Sequence, residues 1–162
     1  MRNVIYIFLI IGVLQACTDN TVTFSKYQSI SNTKWNMDNE VSITIPIQDT
    51  LSFHNLYINL RNNKNYPYSN LYLITQMSFP DNTIVIDTLE YEMTDTEGRF
   101  LGSGFSDIKE NKLFYKENVR FKYTGDYHFR VRHAMREREQ IEGVKLLDGV
   151  TDIGISVEKI KK

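Results

Sequence analysis

The sequence predicts an all-β protein: a single antiparallel sandwich, immunoglobulin-like or jelly-roll-like, behind an N-terminal signal peptide. Three observations predict it. Ten Tyr and nine Phe in 162 residues, with Val, Ile and Thr common and Ala scarce, suit a pleated, half-buried surface better than helices. Short apolar-polar alternations, separated by Asn, Asp and Gly clusters, recur at spacings of roughly 8–12 residues. The chain lacks the repeated helices of about ten or more residues that a parallel βαβ architecture requires.

In chain order, Arg2 opens a short basic start, and Val4 to Leu14 is an eleven-residue apolar run. That length fits a signal-peptide core and falls short of the roughly 20 residues of a membrane-spanning helix. Leu14-Gln15-Ala16-Cys17 follows at once and resembles the bacterial lipobox: an aliphatic residue three before a cysteine and a small one just before it. Cleavage is expected between Ala16 and Cys17. Before that cut the Cys17 thiolate takes a diacylglyceryl group, and the amine that cleavage frees accepts a further acyl chain such as palmitate. Two or more chains anchor stably where one does so only marginally. An ordinary signal peptide ending near a cysteine is the plainer alternative, but the chain's one cysteine stands directly after the apolar run. No aspartate stands immediately after Cys17, which favours the outer membrane, facing the periplasm.

The expected organisation is a signal peptide over 1–16, a lipidated N-terminus and tether over 17–40, and the sandwich over 41–162. Within the tether, Val22, Phe24 and Trp35 are candidates to dock on the body. Val41, Ile43, Ile45 and Ile47 alternate with Ser42 and Thr44, and Pro46 marks an edge or a strand end. Leu56, Ile58 and Leu60 form the next strand, and Asn62-Asn63-Lys64-Asn65 turns the chain. Leu71 to Phe79 follows. Residues 84–93 alternate with a change of face, which predicts a bulge near Thr88. Gly98, Gly102 and Gly104 surround Phe100 and Leu101 without the strand-to-helix setting of a dinucleotide fingerprint. Leu113 to Tyr115 and Val119 to Tyr123 are short strands, Thr124-Gly125-Asp126 a turn, and Tyr127, Phe129 and Val131 another strand. Residues 134–142 are the one helix-compatible stretch, and Ile153, Ile155 and Val157 close the sheet.

The charge balance excludes one class of partner. Nineteen Lys and Arg stand against twenty Asp and Glu, with a pI near 6.3, where a nucleic-acid binder shows a concentrated basic face and a high pI. No cofactor is implied. With a single cysteine, no internal disulfide forms.

Several phrases in the mature chain, taken together and in order, carry a resemblance: Arg61-Asn62-Asn63 with Tyr66-Pro67-Tyr68-Ser69-Asn70-Leu71; Asp87-Thr88-Leu89-Glu90-Tyr91-Glu92; Gly98-Arg99-Phe100-Leu101-Gly102-Ser103-Gly104; Gly125-Asp126-Tyr127-His128-Phe129; Ala134-Met135-Arg136; and Asp152-Ile153-Gly154-Ile155. With the lipobox, the chain resembles the GldH family of gliding-motility lipoproteins from Bacteroidetes, from about Phe24 to Lys159. The resemblance implies an envelope lipoprotein of the gliding and protein-secretion machinery. Only Cys17 maps onto a functional position of the family, as the lipidation site.

Catalytic signals are weak. His54, His128 and His133 lack zinc-site spacing, and a metal site needs three or four converging ligands. His128 and His133 have opposite parity on one strand, hence opposite faces. Asp87 with Glu90, and Asp95 with Glu97, are chance-level carboxylate pairs for glycoside hydrolysis, which needs two carboxyls about 5–10 Å apart across a cleft. Arg130, Arg132 and Arg136 form either a basic partner-binding patch or, better supported, a solvated face neutralised by Glu137, Glu139 and Glu142. Tyr66 and Tyr68 form either an exposed aromatic contact or a rigid packed turn. The reading that follows is a non-enzymatic, membrane-tethered scaffold or accessory that contacts proteins of the gliding and secretion apparatus. The alternatives are a carbohydrate-binding sandwich with a glycan partner, resting on the abundant aromatic rings, and a periplasmic hydrolase.

Overall fold

The alternating segments pair into two antiparallel sheets of four strands each. A computed structural model describes residues 21–104, 106–137 and 141–161. The strands are β1 (Val22–Ser29), β2 (Lys34–Asn36), β3 (Val41–Ile47), β4 (His54–Asn62), β5 (Asn70–Ser78), β6 (Ile84–Glu92), β7 (Lys109–Val119), β8 (Gly125–His133), β9 (Leu146–Asp148) and β10 (Val150–Lys159). The first sheet has the order β1-β10-β4-β7, the second β3-β8-β5-β6, and β2 pairs with β9 in a small ribbon. Setting the ribbon aside, the eight long strands pair first with last, second with seventh, third with sixth and fourth with fifth. One long hairpin is thus rolled into two layers. Of the two expected sandwich types, this strand order selects the jelly roll.

Each strand turns one side to the core. Val41, Ile43, Ile45 and Ile47 of β3 are buried, with Ser42, Thr44 and Pro46 on the other side. β3 is an edge strand, as Pro46 predicts. Leu56, Ile58 and Leu60 of β4 and Ile153, Ile155 and Val157 of β10 meet Leu71 and Leu73 of β5 and Tyr127, Phe129 and Val131 of β8. Across the layers, the rings of Tyr115 and Phe129 lie 5.8 Å apart. At one end of the roll, Phe79, Tyr127, Phe121 and His54 form a chain of ring contacts 5.1 to 5.4 Å apart. Trp35, Leu147, Met135 and Tyr66 are buried at the other end. Gly149, between β9 and β10, has φ +82°, and a Cβ there would sit 2.2 Å from the Tyr66 amide nitrogen. Only glycine fits both the conformation and the space.

Four local expectations are corrected. First, the tether expected over 17–40 gives way to ordered structure from Val22. β1 pairs along its length with β10, and Trp35 is 1% exposed. β1 keeps only Phe24 and Tyr27 partly covered, so its own pattern is faint; the free edge of β10 supplies the order. Second, no bulge occurs near Thr88, because β5 and β6 stay in register from Asn70↔Glu92 to Ser78↔Ile84. Val85, Asp87, Leu89 and Tyr91 take the covered side instead, leaving Ile84 and Ile86 exposed. Third, of the two short strands expected over 113–123, the first is part of a longer strand, β7, which ends at Val119, and the second does not form: residues 120–123 leave the sheet. Fourth, no helix forms in the described part of 134–142; Arg136 makes an antiparallel bridge to Gly143 instead.

Candidate functional site

Ala16 and Cys17, the expected cleavage and lipidation residues, lie outside the described residues. The described chain begins at Thr21, whose carbonyl accepts a 2.7 Å hydrogen bond from the Lys159 amide. Entry and exit of the domain therefore sit side by side, at the end of the roll that carries His54 and Phe121.

The proposed contact residues do not form one patch. Tyr66 is 4% exposed. Its hydroxyl donates to the Asn70 carbonyl at 2.7 Å, its ring packs edge-on to Tyr68 and Phe100, and burial raises its pKa well above the ordinary phenol value. The packed-turn reading therefore holds for Tyr66: it braces the loop between β4 and β5 and is not available as a contact. Tyr68 stays half-buried beside it. Arg130 and Arg132 share the outer face of β8, opposite Gln76 and Ile74 of β5. Arg136 lies beyond the strand and is exposed. Trp35 is buried as well, so two of the aromatic residues on which the glycan reading rests are engaged in packing.

The carboxylate pairs are structural. Asp87 and Glu90 lie on opposite sides of β6 and cannot flank one cleft. Asp87 accepts from the Tyr115 hydroxyl at 3.1 Å and from Lys116 Nζ at 2.9 Å, while the Tyr91 hydroxyl donates to the Phe114 carbonyl at 2.6 Å. These bonds close the seam between the edge strands β6 and β7 and occupy a backbone acceptor that an open edge would offer to another strand. Asp95 and Glu97 both hold Arg99, at 2.7 and 3.2 Å, in a surface turn. The histidines lie apart: His54 and His133 are buried at opposite ends, and His128 is exposed. Among the described residues, no three His, Cys, Asp or Glu side chains are grouped to hold a metal ion.

His133 gives a measurable consequence. Its Nε2 lies 3.0 Å from the Trp35 carbonyl, so that nitrogen carries the proton, and its buried Nδ1 has no partner among the described residues. Burial holds its pKa below the ordinary value, and the same cause lowers that of His54. The unfolded chain therefore binds protons more readily than the folded one. Stability is expected to be complete above about pH 6.5 and to fall as the pH drops through that value, by at most about 1.4 kcal/mol per pH unit from His133. Urea midpoints measured from pH 7 downward check this, and the slope should flatten in His133→Gln.

One constellation escaped the sequence reading: the outer face of the first sheet. Arg61 Nε pairs with Glu110 at 3.0 Å, its guanidinium lies 4.3 Å over the Tyr27 ring, and the Tyr27 hydroxyl donates to Glu110 at 2.8 Å. Burial, first, and then Glu110 push the Tyr27 hydroxyl up to about 12. The Tyr27 ring can lie there because Gly154 is its cross-strand neighbour; a Cβ on Gly154 would meet the Lys26 carbonyl and the Tyr27 ring. Alongside, Lys112 pairs with Glu158 at 2.7 Å and lies 4.2 Å over the Tyr57 ring. The signal was a glycine inside an otherwise apolar strand, Ile153-Gly154-Ile155, which marks close approach.

The profile of the GldH lipoprotein family matches residues 22–157. The chain belongs to the GldH lipoprotein family. A gliding motility lipoprotein GldH homolog of Christiangramia forsetii is 41% identical over 96% of this chain and 94% of its own length. The gliding motility lipoprotein GldH of Flavobacterium johnsoniae is 40% identical over 94% of each. Among solved structures, the infectious bursal disease virus VP2 subviral particle matches with a TM-score of 0.36 and 9% identity, covering 85% of this chain and 30% of that one; so distant a likeness carries no functional argument. As a member of a lipoprotein family, the protein belongs to the cell envelope. The phrases that carry the family resemblance now have physical roles. Arg61 and Gly154 organise the outer face, Asp87 and Tyr91 close the seam, and buried Asn62 accepts from Asn111 at 2.8 Å.

Proposed function

We propose that the protein is a non-enzymatic lipoprotein of the gliding-motility and protein-secretion machinery. In this reading Cys17 carries the lipid, and the jelly roll serves as a membrane-tethered scaffold or accessory that works through protein–protein contacts. It sits on the periplasmic side of the outer membrane. The observation that carries the reading is the kinship across residues 22–157, joined to the Leu14-Gln15-Ala16-Cys17 processing pattern. The outer faces of β8 and β6 suit such contacts: Arg130 and Arg132 lie on a sheet face that also exposes Ile84 and Ile86, and Arg136 adds a further exposed cation.

Deleting the gene tests this. The expected result is loss of surface spreading or of secreted cargo, restored by the wild-type gene, together with a lower level of at least one other component of the apparatus. Normal motility, normal secretion and unchanged component levels would overturn the reading.

A further inference from the structure

The end of the jelly roll where the chain enters exposes apolar side chains. The turn after β3 presents Leu51, 86% exposed, and Phe53, 40% exposed. The turn is built rather than loose: Asp49 Oδ1 accepts from the amides of Leu51 and Ser52 at 2.9 and 3.0 Å, and its other oxygen holds Lys159 Nζ at 3.0 Å. The amide of Ile160 donates to the Phe53 carbonyl at 2.8 Å, and that of Lys159 to the Thr21 carbonyl. Leu51, Phe53, Ile160 and Lys161 thus line an open groove of about 730 Å³, directly beside the entry point of the chain. Arg120, exposed next to the last residue of β7, lies at the same end.

We infer that this end of the domain lies against the lipid leaflet, with Leu51 and Phe53 entering the interfacial layer and Lys161 and Arg120 facing anionic headgroups. The inference rests on the proposed anchor at Cys17. Four peptide steps separate Cys17 from Thr21, so whatever their path they span at most about 14 Å. The long strands extend the roll by roughly 30 Å, which puts its far end out of that reach. Solvent-exposed apolar side chains beside cations that have no ion-pair partner among the described residues are the chemistry of an interfacial contact, where apolar burial and attraction to anionic lipid add.

The test uses the full-length lipidated protein in vesicles of phosphatidylethanolamine and phosphatidylglycerol. An environment-sensitive fluorophore is placed on Leu51→Cys, or on Leu101→Cys at the far end; the Cys17 thiol is already consumed by lipid. At position 51 the emission should shift to the blue, lose intensity to shallow nitroxide-labelled lipid and resist aqueous iodide, while position 101 behaves oppositely. Iodide quenching equal at both positions, without quenching by labelled lipid, would overturn the inference. A blue shift without quenching by labelled lipid would overturn it too, by placing another copy of the protein on the tip. Flotation with the vesicles separates the two readings. Protein that floats with a water-exposed probe defeats the docking alone, and protein that fails to float defeats the anchor and the docking together.

Discussion

Trp35→Ala is expected to cost about 3–5 kcal/mol, the range for removing a large buried aromatic from a core. Domains of this size hold only about 5–15 kcal/mol in total, so much of the stability would go, and the melting temperature should fall by roughly 10 °C. The indole is 1% exposed. Its Nε1 donates to the Asn39 carbonyl at 3.1 Å, and its ring meets that of His133 edge-on at 5.4 Å. The Trp35 carbonyl also takes the His133 hydrogen bond, so the cavity opens beside a buried polar group. Trp35→Phe should lose less. Urea or thermal unfolding measures both. A loss below about 1 kcal/mol in Trp35→Ala, the level of a surface change, would mean that residues 22–36 hang outside the fold as a tether.

How far the fold was legible follows from what each strand does. β3 and β8 bury one face and leave the other largely in water, and β4 alternates apolar with polar side chains although its outer face is largely covered, so their period of two stands in the sequence and fixes their register. β10 is covered on both sides around Gly154 and Ser156 and reads only as an apolar run. β1 hides because it borrows its order from β10, a partner at the opposite end of the chain. β6 misleads for a different reason. Its inward position 87 is an aspartate, satisfied by Tyr115 and Lys116 of a strand more than twenty residues later, while Ile84 and Ile86 face out; a pattern that equates apolar with inside needs a bulge to explain it. Apart from the β5–β6 hairpin, the strand order is nonlocal pairing and leaves no local signature. The same reasoning applies to the candidate residues. A tyrosine's position in a turn does not say whether the turn packs inward, and Tyr66 does. Arg61, Glu110 and Tyr27 meet only because three distant segments become neighbours in one sheet.

The largest functional effect is expected from a single atom. In Cys17→Ser the sulfur that receives the diacylglyceryl group is replaced by a hydroxyl, which is not the nucleophile this transfer requires. The exported chain would then carry no acyl group, and contact through the tip alone would be weak and reversible, since stable attachment takes more than one membrane-binding element. The fold would be untouched, because Cys17 precedes Val22, the first residue of β1.

The decisive measurement is fractionation of cells fed a labelled fatty acid. The wild-type protein should incorporate label and sediment with membranes, and Cys17→Ser should incorporate none and appear in the soluble fraction. A Cys17→Ser protein still bound to membranes, with no label in the wild type, would contradict the account.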